Sequence, residues 1–275
     1  MSKLPSKPTA VITGGASGLG RAFALQLAAR GGRVMIADLN DARAAETADE
    51  LVKAGGEAFV RRCDVGDAAD VAALAEASVE ALGRIDLLVN NAGVAVAGPV
   101  GEASLEDWEF ALRVNLWGVI YGCHAFVPTF RAQRSGHVLN VASAAGIATL
   151  PEMGPYNVGK AGVIALSETL EAELAPFGVG VSVLCPTFFP TNLMESFRGS
   201  DPKQKAQAEA FFRRASATAE GVARFALRGV EKDEFLLLPQ QDARFVWRSK
   251  RFAPGAYRAA LRTMQRFGLA DRFLK

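Results

Sequence analysis

Short apolar runs alternate with amphipathic stretches along most of this 275-residue chain. Residues 8–13 (PTAVIT), 33–38 (RVMIAD) and 84–93 (RIDLLVNNAG) are apolar runs that stop at glycine or acid, as strands covered on both faces of a parallel sheet do. Residues 56–64 (GEAFVRRCD), 137–143 (HVLNVAS), 179–186 (VGVSVLCP) and 235–239 (FLLLP) bring the predicted strands to seven. Between them, residues 21–32 (RAFALQLAARGG) form a helix that closes on paired glycines. Residues 41–54 form a second, capped by Asn40 or Asp41, and 67–82 a third. A long helix spans about 104–133 and another about 155–177, opened by Pro155. The alternation predicts an α/β fold: one doubly wound parallel seven-stranded sheet flanked by helices over residues 1–239. Residues 240–275 follow as a helical extension.

Composition narrows the class without changing this outline. Apolar residues make up 50% and charged residues 22% of the chain, which fits a soluble globular protein and excludes a disordered one. A net charge of +2 gives no global attraction to nucleic acid. Cys63, Cys123 and Cys185 are odd in number and far apart, and read as buried thiols in a reducing compartment. Two histidines, His124 and His137, are too few for a histidine-rich metal site, and no metal is expected. The N-terminus lacks an apolar run of signal-peptide length, so a cytoplasmic location is expected. Residues 114–130 carry no formal charge, but Asn115, His124, Pro128 and two glycines make them a buried core helix in preference to a membrane span.

The first strand ends in TGGASGLG (13–20), a glycine-rich turn running into a helix. Such a turn lets backbone amides at a helix N-terminus approach a pyrophosphate closely. Asp38 closes the next strand, where its carboxylate meets an adenosine ribose and repels a 2′-phosphate. This βαβ unit therefore points to a dinucleotide, NAD in preference to NADP.

Tyr156 and Lys160 stand four residues apart, on one face if Pro155 opens the helix. A phenol titrates near about 10 and is a poor base at neutral pH, but an adjacent ammonium favours its phenolate. The pair can then exchange a proton with an alcohol oxygen, which the hydroxyl of Ser143 can also hold.

TGGASGLG, NNAG at 90–93, Asn115, Ser143 and the Tyr156/Lys160 pair together resemble the short-chain dehydrogenase/reductase family, over about residues 8–239. The resemblance implies a Rossmann-type domain that moves a hydride between a nicotinamide and a secondary alcohol or ketone. It implies Tyr156 as acid/base and Lys160 as the group that lowers the tyrosine's pKa and holds the nicotinamide ribose. Ser143 would orient the substrate oxygen, and Asn115 would help hold a relay water. Gly14, Ser17, Gly18, Leu19 and Gly20 would carry the pyrophosphate. Asp64 and Val65 would flank the adenine, and Asn91, Ala92 and Gly93 the adjoining ribose. Pro186, Phe189 and Thr191 would lie along the nicotinamide. The family often has glycine after that proline, where this chain has Thr187. Asn90 either braces the sheet or touches cofactor.

Residues 187–200 (TFFPTNLMESFRGS) would form a lid rich in Phe188, Phe189, Leu193, Met194 and Phe197, with Val94, Ala144, Ala145, Ile147 and Met153 nearby. That favours a bulky lipophilic alcohol or ketone as the small-molecule substrate. The alternatives are an NADP-linked carbonyl reductase and a catalytically inactive nucleotide-binding regulatory protein. Family members commonly form homodimers or homotetramers through the two long helices.

The extension, 240–275, holds nine basic residues and two acids. Tyr257, Ala260, Leu261 and Met264 fall on one helical face and Arg258, Arg262 and Arg266 on another, after a helical segment bearing Phe245, Trp247 and Phe252. A basic amphipathic helix of this kind packs on its own domain or a partner subunit, bordering the substrate pocket. Contact with an anionic membrane is the less favoured use.

Overall fold

The computed structural model describes residues 4–199 and 202–267. Strand β1 (Thr9–Thr13) is buried throughout and leads through the glycine turn into helix α1 (Gly18–Ala28) and then β2 (Arg33–Asp38). The helix starts at Gly18, ahead of the expected Arg21, so that the glycine turn runs directly into its first turn. Helix α2 (Asp41–Lys53) is capped by Asn40, whose side chain accepts from the Arg43 amide, and leads to β3 (Glu57–Arg62). Asp67 caps α3 (Ala68–Leu82), accepting from Ala69 and Asp70, and β4 (Leu87–Asn90) follows.

The predicted 104–133 helix is present with one irregular turn. After the two-residue strand β5 (Val96–Ala97), α4 (Leu105–Leu112) passes through a π-turn at Arg113–Trp117 into α5 (Gly118–Gln133). The cause is Asn115: its amide group donates to and accepts from the Val94 backbone at 2.9 and 3.0 Å, drawing that turn towards the β4 loop. The 29-residue stretch is apolar and long enough to cross a membrane. Val119, Cys123, Phe126 and Phe130 are nevertheless buried in the core.

Strand β6 (His137–Val141) is followed by α6 (Ala144–Ala148) and α7 (Gly154–Leu174), which runs into a 3-10 turn, Ala175–Phe177. Then come β7 (Gly180–Leu184), a 3-10 turn at Asn192–Ser196 and strand β8 (Arg198–Gly199). Helices α8 (Pro202–Arg214) and α9 (Ala219–Glu231), strand β9 (Leu236–Leu237), α10 (Gln241–Phe252) and α11 (Pro254–Arg266) complete the described chain. Of the predicted 235–239 strand, Leu236 and Leu237 pair with β7, and Pro239 has no amide to donate to a ladder. Residues 268–275 of the basic extension and Ser200 of the lid lie outside the described residues.

Seven strands pair in parallel in the order β3-β2-β1-β4-β6-β7-β9, a Rossmann-type sheet. The strand order reverses between β1 and β4, which places a crevice at their carboxyl ends. Two apolar layers cover the sheet. One is built with Leu74, Phe126, Phe130 and Leu170, and the other with Phe23, Leu27, Leu51 and Leu227. Across the sheet, Asn90 donates to Asn140 at 2.9 Å and Asn140 to Ser167 at 3.0 Å. Asn90 is thus a sheet brace. The histidines divide: His137 is buried against Ser182, while His124 is exposed. The three cysteines are free and buried.

Candidate active site

The crevice is a cleft of about 650 Å³, within the range of small-molecule sites. Its floor is glycine for a steric reason. Gly14 has φ +61°, and a Cβ there would lie 2.9 Å from the Ala92 Cα. Gly18 has φ +51° and faces Thr191. A Cβ on Gly93 would lie 2.9 Å from the Asn115 carboxamide oxygen. Asn91 stitches the two loops together, donating to the carbonyls of Thr13 and Gly14 at 2.9 and 3.0 Å. Ser17 makes no side-chain cap bond, so the first turn of α1 opens on the cleft through Ser17, Gly18 and Leu19. Gly20 stands behind: a Cβ there would strike the Gly14 carbonyl, so its smallness lets the helix close on the turn.

At one end of the cleft, Asp38 accepts the Ala16 amide on one carboxylate oxygen and the Asn40 amide on the other, both at 3.0 Å. It therefore ties the glycine turn to the residue that caps α2, and stands on the cleft wall. Asp64 and Val65 line the same wall, Asp64 paired with Arg113 at 3.0 Å. Burial pushes the Asp64 carboxyl up, but the Gly66 amide and Arg113 bring it below its ordinary value.

The other end holds the polar trio. Ser143 caps α6 by accepting the Ala145 amide at 3.1 Å. The Tyr156 phenol is pushed above its ordinary value by burial and pulled down in part by its hydrogen bond with Ser143. Lys160 is 3% exposed and donates to the Val141 carbonyl at 3.0 Å. Burial brings its ammonium down to about 8, against which the Cys185 thiol works weakly. Its nitrogen lies 5.9 Å from the centre of the Tyr156 ring. Ser143 is the group that offsets the burial of the phenol in this structure, while the Lys160 ammonium is turned onto the Val141 carbonyl.

Every residue assigned in advance to catalysis or cofactor borders this cleft except Gly20, including Asn115, Asn91, Ala92, Pro186 and Phe189. Among the expected apolar neighbours, Ile147 is the exception. It is buried in the core, while Val94, Ala144, Ala145 and Met153 line the cleft. Phe188, Leu193, Met194 and Phe197 of the lid line it too.

Some lining residues carried no local signal. Arg43 of α2 reaches the lid and pairs with both oxygens of Glu195, at 2.7 and 3.2 Å. Phe212 of α8 meets Phe188 edge-to-face. Asp242, Ala243 and Val246 of α10 close the cleft from the extension. Thr187, where glycine is commoner, is held by that extension: its amide donates to Gln240 at 3.1 Å and its hydroxyl to Asp242 at 3.2 Å. The composition of the extension could have suggested an apolar face, but not which loop it meets.

Residues 8–201 match the family described as short chain dehydrogenase. The chain belongs to that family. The chain is 33% identical over 260 residues to the probable oxidoreductase EphD of Mycobacterium tuberculosis, which covers 91% of this chain and 44% of that protein. It thus spans less than half the length of that relative. It is 40% identical over 187 residues to D-threitol dehydrogenase of Mycolicibacterium smegmatis, covering 67% and 71% of the two chains. A short chain dehydrogenase/reductase from Burkholderia phymatum, solved in complex with NAD, superposes with a TM-score of 0.85 at 35% identity, over 89% of this chain and 93% of that one. The glycine-only floor, the open first turn of α1 and Asp38 fit a dinucleotide.

Proposed function

We propose that this protein is an NAD-dependent dehydrogenase of bulky, lipophilic secondary alcohols, reversible to reduction of the ketones. The supporting observation is one cleft with Asp38 at one end, Ser143, Tyr156 and Lys160 at the other, and an aromatic lid over the trio. NAD, when bound, accepts or returns the hydride at the carbinol carbon. The chain's own residues manage the proton and the position. Tyr156, its phenol kept protonated by burial, gives a proton to a ketone oxygen and takes one back in oxidation. Ser143 holds the same oxygen. Lys160 carries the ammonium that favours phenolate when the phenol gives up its proton, and holds the nicotinamide ribose. Asn115, which abuts Gly93 beside Lys160, supports the relay water. Gly14, Ser17, Gly18, Leu19 and Gly20 hold the pyrophosphate; Asp64, Val65, Asn91, Ala92 and Gly93 the adenosine half; Pro186, Phe189 and Thr191 the nicotinamide half.

Asp38 favours NAD by repelling a 2′-phosphate. Arg43 supports the NADP-linked reading, since it lines the same end of the cleft; its pairing with Glu195 neutralises it there. The catalytic domain closes at Pro239, and residues 240–275 form an extension that borders it. Three buried free thiols suit a cytoplasmic location. Trp117 on the π-turn and Val158 on α7, 49% and 48% exposed, suit a homodimer or homotetramer formed through the long helices.

A panel of secondary alcohols with NAD and with NADP, followed by reduced-nicotinamide absorbance, tests the reading. Tyr156→Phe should lower turnover by about 10²- to 10⁴-fold with NAD affinity kept. Turnover within about threefold of the parent would remove Tyr156 from the chemistry. Asp38→Ser should weaken NAD and improve NADP, and a parent protein that prefers NADP would overturn the role of Asp38.

A further inference from the structure

Helix α10 has two working faces. Ala243, Val246, Trp247 and Lys250, at i, i+3, i+4 and i+7, turn inward. Ala243 is 1% exposed, and Lys250 donates to the Ile147 carbonyl at 2.7 Å. On the outer face, Phe245 and Phe252 stand two turns apart and are 71% and 76% exposed. Arg248 lies between them and Arg251 beside them, both exposed. Helix α11 is tied down by Tyr257, which donates to the Ala148 carbonyl at 2.6 Å, and presents Arg258, Arg262 and Arg266 to solvent. Phe267, at its end, is 60% exposed. From residue 240 to 267 there are seven basic residues and one acid.

We propose that the outer face of α10 and α11 docks this protein on an anionic lipid bilayer. Large aromatic side chains left in water beside the exposed Arg248 and Arg251 match the composition of interfacial helices. The rings enter the headgroup boundary, and the arginines meet the negative surface. A second copy of the chain is disfavoured by charge, because the face is strongly positive and would oppose itself. The inner face of the same helix lines the cleft through Ala243 and Val246. Docking therefore brings the apolar chamber to within about one helix diameter, roughly 10 Å, of the bilayer. The surface is read directly, independently of the reaction proposed above.

Co-sedimentation with vesicles of phosphatidylcholine and phosphatidylglycerol, mixed at roughly two to one, tests it against vesicles of phosphatidylcholine alone. The parent protein should sediment with the anionic vesicles and not with the neutral ones, and release at high salt. Phe245→Ser with Phe252→Ser should weaken binding by about 100-fold, taking roughly tenfold per ring, with unchanged thermal unfolding and unchanged turnover of a water-soluble alcohol. Arg248→Gln with Arg251→Gln and Arg262→Gln should remove most of the salt dependence. Three outcomes would overturn the proposal: a parent protein that stays in the supernatant with anionic vesicles; a Phe245/Phe252 variant that binds them as well as the parent; or light scattering in which that variant loses a subunit, which would make the face an interface between copies. A protein that binds vesicles yet oxidises no alcohol would leave the docking face standing and fail the reaction instead.

Discussion

Lys160 shows how far a single side chain departs from its ordinary chemistry once folded. Its ammonium titrates near 10.5 in the unfolded chain and near 8 in the fold, with burial as the main cause. Between those values the unfolded chain binds more protons, so this group's contribution to stability rises with pH through that window. Below pH 8 the buried ammonium costs about 3 kcal/mol by the same linkage. Cys123 and Cys185, pushed by burial from 9.0 to about 12, act in the opposite direction above pH 9. Comparison with Lys160→Met isolates the lysine, because both proteins keep the thiols. Urea unfolding followed from neutral to alkaline pH should show the parent gaining on the variant by about that amount. Parallel stability curves would show that the ammonium is not penalised.

At the scale of elements, the loop after β7 and the start of α10 form one unit. Thr187 donates both its amide and its hydroxyl to the extension, to Gln240 and Asp242. Loss of one such bond costs about 0.5–1.5 kcal/mol, enough to let a loop shift without unfolding the domain. Gln240→Ala with Asp242→Ala should therefore raise the Michaelis constant for bulky alcohols several-fold and leave the unfolding midpoint within a few degrees. An unaltered Michaelis constant would separate the extension from the site. A Michaelis constant raised equally for NAD and alcohol would place the effect on the cofactor side of the loop.

For the whole molecule, the long helices offer an apolar outer surface in addition to their core face. Val158 is 48% exposed in the second turn of α7, and Trp117 is 49% exposed with its ring tilted against that of Tyr121. If two copies join there, Val158→Glu places two carboxylates across a symmetric interface. Light scattering should then find the parent as a dimer or tetramer at micromolar concentration and the variant smaller. A monomeric parent would leave that surface without a partner copy.

Much of this protein was legible in the chain alone. Strand and helix identity followed from local alternation, and the cap of α2, left between Asn40 and Asp41, from residues beside the helix they serve. The cleft residues were legible because their motifs are short and contiguous: TGGASGLG must turn, NNAG must leave its strand, and Tyr156 and Lys160 must share a helix face. What needed the tertiary structure were the pairings between distant segments. Arg43 meets Glu195 across 152 positions, and Thr187 meets Asp242 across 55. Ile147 turns into the core while Ala144 and Ala145 face the cleft, a choice made by packing and not by hydropathy. The direction of the Lys160 ammonium was likewise decided by the fold, since the carbonyl that receives it ends a different strand. Local sequence dictates conformations that neighbouring atoms can enforce, whereas the partner of a buried charge depends on which strand ends the sheet brings together.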